Sequence, residues 1–276
     1  MDLDHLSGLL FDFTNQNYGK SKLHDFFLLM NRLSLKEMGI GTGDAVDSAG
    51  ELVAMTHVRD TLRRHYADTP LVLFDVGANI GLFARTALSV FPENRRLYCF
   101  EPSSHAFAQL QTALGDRLGR DAFAFKLALG DAEGSLPFFA DKPGSTLGSL
   151  YRRRLDHFDA EMQLVETVSV STIDNVCTRE GVERIHYLKL DAEGHELKCL
   201  EGARSLLDSG RIDFVQFEFG GCNIDSRTFF QDFWYALDRY NIARILRDGL
   251  HPITKYTEFE EIFRNQNYLA QRKDLV

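Results

Sequence analysis

Short apolar runs, each followed by a helical pattern, fill the chain from Leu71 onward and restrict it to few architectures. "LVLFDV" (71–76), "RLYCF" (96–100), "FAFKLAL" (123–129), "IHYLKL" (185–190) and "IDFVQFEF" (212–219) have the length and character of strands covered on both faces. Stripes at helical spacing lie between them. Ile80, Phe83, Ala87, Leu88 and Phe91 form one; Phe107, Leu110, Leu114 and Leu118 form another behind a capping Ser103 or Ser104; Leu197, Leu200, Ala203 and Leu207 form a third. "TVSVSTIDNVCTREG" (167–181) reads as a further strand and a short helix, and a helix is expected around Phe229 to Tyr240. "ARILRDG" and "NYLAQR" read as two closing strands. This alternation implies an α/β fold with a doubly wound, Rossmann-like parallel sheet. Ligands of such sheets sit beyond the carboxyl ends of the strands, where strand order reverses. The loops after Phe74, Phe100, Leu129, Leu190 and Phe219 are therefore the ones to search.

Residues 1–68 read differently. Leu23, Phe26, Phe27, Met30 and Leu33 repeat at helical spacing, and a second helix from about Gly50 to Tyr66 carries Leu52, Met55, Leu62 and Tyr66 on one face. The expected organisation is an N-terminal helical cap (1–68) on a ligand-binding α/β domain (69–276). "MGIGTG", Gly39 to Gly43, is rich in glycine but follows a helix rather than a strand, so it reads as a hinge in the cap and not as a phosphate loop. Phe11, Phe13 and Tyr18 would close the site if the cap folds over it.

"FDVGANIGLF" (74–83) joins the first strand to its helix. GxGxxG fits it poorly, since Gly77, Asn79 and Leu82 occupy those places. The spacing is instead acid-x-Gly-x-x-x-Gly: Asp75, Gly77 and Gly81, with Asn79 between. A carboxylate beside a pyrophosphate would repel it, whereas the ammonium and sulfonium of S-adenosylmethionine suit it. Glu101 ends the second strand, placed to accept the hydroxyl hydrogens of an adenosine ribose. Ala128 and Leu129, at the end of the third strand, fall where the adenine would lie.

"YLKLDAEGHELKCLEGA" (187–203) crowds Asp191, Glu193, His195 and Glu196 onto the rim of a buried strand. Glu196 reads as a first-turn acid, favourable with the helix dipole. Asp191 ends a central strand and points to the crevice. His195 is either an exposed first-turn residue or a general base.

"DVGANIG", "CFEPS", "LALGDAEG" and above all "LKLDAEGHELKCLEGARSLL" resemble the FkbM-type family of S-adenosylmethionine-dependent methyltransferases over roughly residues 70–220. The resemblance implies a class I methyltransferase sheet of seven strands, the last antiparallel. It also implies methylation of hydroxyl oxygens on small molecules such as macrolides and sugars. The implied mechanism is in-line displacement at the sulfonium methyl with removal of the hydroxyl proton. His195 and Glu193 are the candidate bases, with Asp191 orienting cofactor or base and Glu218 as a further acidic wall. Asp191, Glu193, His195 and Glu218 are of a type to bind magnesium, but no spacing demands a metal and none is expected.

The remaining expectations follow from charge and composition. A net charge of −9 argues against a nucleic-acid partner. A small-molecule acceptor is expected, and a homodimer is left open. Arg152, Arg153 and Arg154 read as a solvated face, with capture of an anionic substrate group as the alternative. Phe138, Phe139 and Tyr151, in the irregular stretch 131–168, line a pocket or merely pack. "MDLDHLSGLL" lacks the pattern of a secretory signal, no run approaches a membrane span, and four widely spaced cysteines read as reduced thiols, so the expected compartment is cytoplasmic. Two other classes compete: a nicotinamide-dependent dehydrogenase, disfavoured by the broken glycine pattern, and a non-catalytic binder of adenosine ligands, disfavoured by the acid cluster.

Overall fold

A computed structural model describes residues 3–41, 50–67 and 69–275. In chain order the strands are β1 (Leu71–Val76), β2 (Arg95–Phe100), β3 (Ala122–Phe125), β4 (Ala128–Leu129), β5 (Gly134–Ala140), β6 (Gln163–Ser171), β7 (Ile185–Leu190), β8 (Ile212–Phe219), β9 (Tyr240–Leu246), β10 (Gly249–Pro252) and β11 (Gln266–Arg272). The helices are α1 (Leu3–Asn17), α2 (His24–Glu37), α3 (Glu51–His65), α4 (Leu82–Val90), α5 (Ser104–Leu114), α6 (Ile173–Glu180), α7 (Glu196–Glu201), α8 (Arg204–Asp208), α9 (Cys222–Ser226) and α10 (Phe230–Ala236).

The main sheet runs β10-β9-β11-β8-β7-β1-β2-β3. β3, β2, β1, β7 and β8 are parallel, and β11 enters antiparallel between β8 and β9. Seven of these strands are the expected sheet. The eighth, β10, arises because the two-residue turn Arg247–Asp248 sends the chain back and pairs it antiparallel with β9 from Gly249 onward. A second departure lies in "FAFKLAL". Only Ala122–Phe125 joins the main sheet, whereas Ala128–Leu129 pairs with β6, which also pairs antiparallel with β5. β4, β5 and β6 thus form a three-stranded sheet beside the main one, with β5 and most of β6 drawn from the irregular stretch.

Every residue of β7 and β8 is buried, as expected of strands with helices on both faces. Phe74, Leu188, Val215 and Phe217 point to the face covered by α6, α7, α8 and α10. Leu73, Tyr187, Phe214 and Leu269 point to the face covered by α3, α4 and α5. Each such side chain contributes about 1.5–3 kcal/mol when fully buried.

The three N-terminal helices part ways. α3 buries Ala54, Met55, Val58 and Leu62 in the sheet's own core. α2 buries no residue, and Phe11, Phe13 and Tyr18 on or after α1 are exposed. Gly39 and Gly41 make left-handed turns after α2; the rest of the expected hinge, Thr42 and Gly43, lies outside the described residues. All four cysteines are free and buried. Among the described residues no helix is long and apolar enough to cross a membrane.

Candidate functional site

A cavity of about 530 Å³ opens at the carboxyl ends of β1, β2, β7 and β8, a volume suited to a small ligand or cofactor. β1 lies between β2 and β7, so the cavity sits where strand order reverses. Gly77, Asn79, Glu101, Ala128, Leu129, Asp191, Glu193 and Glu218 all line it.

The turn after β1 is built for close approach. Gly77 has φ +76°, and a Cβ there would lie 1.7 Å from the Asp191 carbonyl oxygen. Only glycine lets the two loops meet. Asn79 is also left-handed, at φ +45°, and Gly81 starts α4 at φ +85°. The Asn79 and Ser103 amides donate to the two oxygens of Glu101, each at 2.8 Å. Both bonds hold the carboxylate rigidly on the wall, yet burial outweighs them and raises it to about 7. Glu101 lines the cavity.

The loop after β7 answers why four ionisable residues gather there. Glu196 is fully buried and folds back on its own loop, accepting from the Ala192 amide at 2.7 Å and from Gly194 at 3.0 Å. It therefore braces the loop from the first turn of α7. Braced so, Glu193 adopts φ +50° and faces the cavity. Arg153 Nη1 donates to Glu193 Oε2 at 2.5 Å and its Nε lies 4.0 Å from Asp225. The arginine run is thus not a uniform solvated face: Arg152 and Arg154 are exposed, while the Arg153 side chain is only 8% exposed because it pairs beneath this loop. Asp191 lines the cavity beside it. Glu218, at the end of β8, receives no hydrogen bond or ion pair from the described residues. Burial, then Asp191, Glu193 and Glu196, push it well above the usual carboxylate range.

His195 is not brought to the wall. Its Nδ1 lies 3.1 Å from the Tyr151 hydroxyl, and its ring packs so tightly on Gly130 that a Cβ there would meet Nε2 at 2.7 Å. Burial lowers it to about 4, so the imidazole is a neutral packing group. The expected base is displaced because the last loop residue before α7 turns inward against the β4–β5 connection. Phe138 lines the cavity, whereas Tyr151 packs on His195. Glu193, Glu218 and Cys222 bring ligand-type atoms within 4.8 Å of one another, with Arg153 already on Glu193.

Beneath the cavity runs a polar row that the sequence did not reveal. Asp75, Lys189 and Gln216 are register partners on β1, β7 and β8, on the face covered by α3 and α4. Asp75 is fully buried and lies behind the wall rather than on it. Lys189 Nζ sits 3.7 Å from Asp75 and 3.0 Å from Asp191. Burial, with the Asp191 charge adding to it, raises Asp75 to about 6 despite that lysine. Asp75 thus acts on the cavity through Lys189. The row ends in Glu51, the first residue of α3. The Tyr187 hydroxyl donates to Gln216 Oε1, and Gln216 Nε2 donates to Glu51 Oε1 at 3.1 Å. Glu51 lines the cavity, and burial raises it to about 7. Asn265 and Asn267, at the start of β11, complete the wall.

Three curated proteins share sequence with the chain. It is 28% identical over 158 residues to the 2-O-methyltransferase NoeI of Sinorhizobium fredii, covering 53% of this chain and 63% of that protein. It is 30% identical over 155 residues to the methyltransferase sdnD of Sordaria araneosa, covering 47% and 59%. It is 26% identical over 151 residues to the hexuronic acid methyltransferase AglP of Haloferax volcanii, covering 54% and 56%. The chain therefore spans about three fifths of the length of these relatives. Residues 75–268 match the methyltransferase FkbM domain, a span that holds the Gly77 turn, Glu101, the Asp191 loop and Asn267, every lining residue except Glu51. The chain belongs to the FkbM methyltransferase domain family.

Proposed function

We propose that the protein transfers a methyl group from S-adenosylmethionine to a hydroxyl oxygen of a small, polyhydroxylated acceptor. The observation that carries this reading is one cavity with two kinds of wall. Glu101, presented by backbone amides, suits a ribose diol beside the Gly77 turn. Asp191, Glu193 and Glu218 crowd the other side with Asn265 and Asn267. Carboxylates and amides together suit the hydroxyls of a sugar-like acceptor. The names of two relatives, a 2-O-methyltransferase and a hexuronic acid methyltransferase, support the same class.

S-adenosylmethionine supplies an activated methyl on a good leaving group, so the chain's residues need only position the acceptor and take its proton. Glu218 suits the second task. Its side chain is buried, lines the cavity and has no partner among the described residues; burial favours its protonated form, so it accepts a proton only once it is ionised. A sulfonium arriving nearby favours its charged form. The acceptor proton passes to Glu218 while the O–CH3 bond forms and the S–CH3 bond breaks, and S-adenosylhomocysteine leaves as a neutral thioether. Glu193, held by Arg153, orients the acceptor.

Calorimetric titration with S-adenosylmethionine, S-adenosylhomocysteine and NAD tests the cofactor. Binding of the two adenosyl ligands but not NAD is expected; no binding of either by folded protein would sink the reading. A screen of sugar and uronic-acid acceptors then tests Glu218→Gln. Turnover should fall about 100-fold or more with S-adenosylhomocysteine affinity unchanged.

A further inference from the structure

Resting on this cofactor reading, we propose that Glu51 binds the α-ammonium of the cofactor's amino-acid tail, making α3 part of the cofactor site. The cavity has a direction. Ala128 and Leu129 mark the adenine end and Glu101 the ribose. The Gly77 turn carries an extended ligand past β1 toward the ends of β7 and β8. The tail that arrives there is a zwitterion, and it needs one anionic and one cationic partner.

The wall at that end offers few. Lys189 is the cation, 5% exposed and held over the Phe83 ring at 4.9 Å. Asp75 lies behind it, outside the lining. Asp191 already accepts from Lys189 at 3.0 Å. Glu193 is paired with Arg153, and Glu218 serves the acceptor in the reading above. Glu51 is the anion left for the tail: it is 7% exposed, lines the cavity, and its Oε2 makes no hydrogen bond with the described residues.

Its position is fixed from two sides. Gly50 lets the start of α3 lie close against β9, where a Cβ would come within 2.0 Å of the Leu246 carbonyl oxygen. The Tyr187 phenol occupies Gln216 Oε1, which turns the Gln216 amide toward Glu51 and demands an acceptor there. A carboxylate so held, with one oxygen committed and one open, is preorganised for a cation. The ionisable groups facing it are Lys189 and Asp191 at the end of β7, Asp75 of β1 and the Tyr187 phenol; β8 offers the uncharged Gln216. Burial keeps the carboxyl protonated to about pH 7. An ammonium partner favours the ionised form, so cofactor binding should draw a proton from Glu51.

The test uses S-adenosylhomocysteine, its analogue lacking the α-amino group and its analogue lacking the carboxylate, titrated into wild type and Glu51→Gln at pH 8. Glutamine keeps an oxygen for Gln216 and removes the charge. Wild type should prefer the parent over the amine-free analogue by about tenfold or more, and Glu51→Gln should reduce that preference to about twofold or less. The preference over the carboxylate-free analogue should stay as in wild type. Should Glu51→Gln fail to fold, wild type decides. Titration near pH 7 in buffers of different ionisation enthalpy should show proton release with the parent and less with the amine-free analogue. An amine preference that survives in Glu51→Gln, or is absent in wild type, overturns the assignment and leaves the cofactor reading standing. No binding of any adenosyl ligand removes both.

Discussion

Gly77 shows how much of the site rests on a single missing methyl group. Its φ of +76° and the 1.7 Å approach of the Asp191 carbonyl to a notional Cβ act together. Gly77→Ala must either strain the turn or separate the loops after β1 and β7. We expect it to lower stability by about 2–4 kcal/mol and to abolish measurable S-adenosylhomocysteine binding, read by urea unfolding and calorimetry. A fully stable variant that binds normally would show that the loops have slack. This glycine was legible, because acid-x-Gly-x-x-x-Gly between a strand and a helix marks a turn that must pass close to a ligand. Glu101 was expected at the end of the second strand, and it stands on the cavity wall. His195 was not legible: a histidine at a helix start reads alike whether it faces solvent, substrate or the core. The Tyr151 and Gly130 contacts that settle it come from distant segments.

At the scale of elements, the N-terminal helices separate into two kinds. Among described residues before Leu35, no side chain is buried. α3, by contrast, puts four residues at 0% exposure into the core. Removing residues 1–34 should shift the melting temperature by no more than about 3 °C. Removing residues 1–66 should leave no cooperative transition, since it uncovers Leu73, Tyr187 and Phe214. Differential scanning calorimetry of the two truncations checks this; equal melting of both would refute the division. Helical periodicity told that helices exist here but not which of them the sheet uses. The same limit applies to "FAFKLAL", where one apolar run serves two sheets, since periodicity carries no information about where a strand changes partner. Lys189 is the clue to the buried row that the sequence does carry. A lysine inside an otherwise apolar strand asks for buried counter-charges, and three carboxylates supply them.

Across the whole molecule, burial holds Glu51, Glu101 and Glu196 up at about 7 and Asp75 at about 6. Between pH 4.5 and 7 the folded state then keeps protons that the unfolded chain has released, so stability falls as pH rises through that interval. His186 and His195, lowered to about 4 by burial, act oppositely between pH 4 and 6.5. Above pH 6.5 only the carboxyls remain. The ligand-free protein should therefore melt at a lower temperature at pH 8 than at pH 6. Glu51 alone, raised from 4.5 to about 7, is worth roughly 3 kcal/mol across its interval. Melting curves at the two pH values check this, and Glu51→Gln should flatten the difference; a melting temperature that rises toward pH 8 would contradict the assignment. The partners of Lys189 were not legible beforehand, because the Asp75–Lys189–Gln216 row exists only in the register between strands distant in sequence.

β11 lies between β8 and β9, yet it is made after both. While the ribosome is still adding residues 247–265, β8 has an open edge that only the later segment can fill. That edge is eight residues long and apolar throughout its buried positions apart from Asp213, Gln216 and Glu218, the kind of edge to which a neighbouring nascent chain could add. Asn267 arrives with the same strand, so the last pairing to form during synthesis both seals the sheet and finishes the cavity wall.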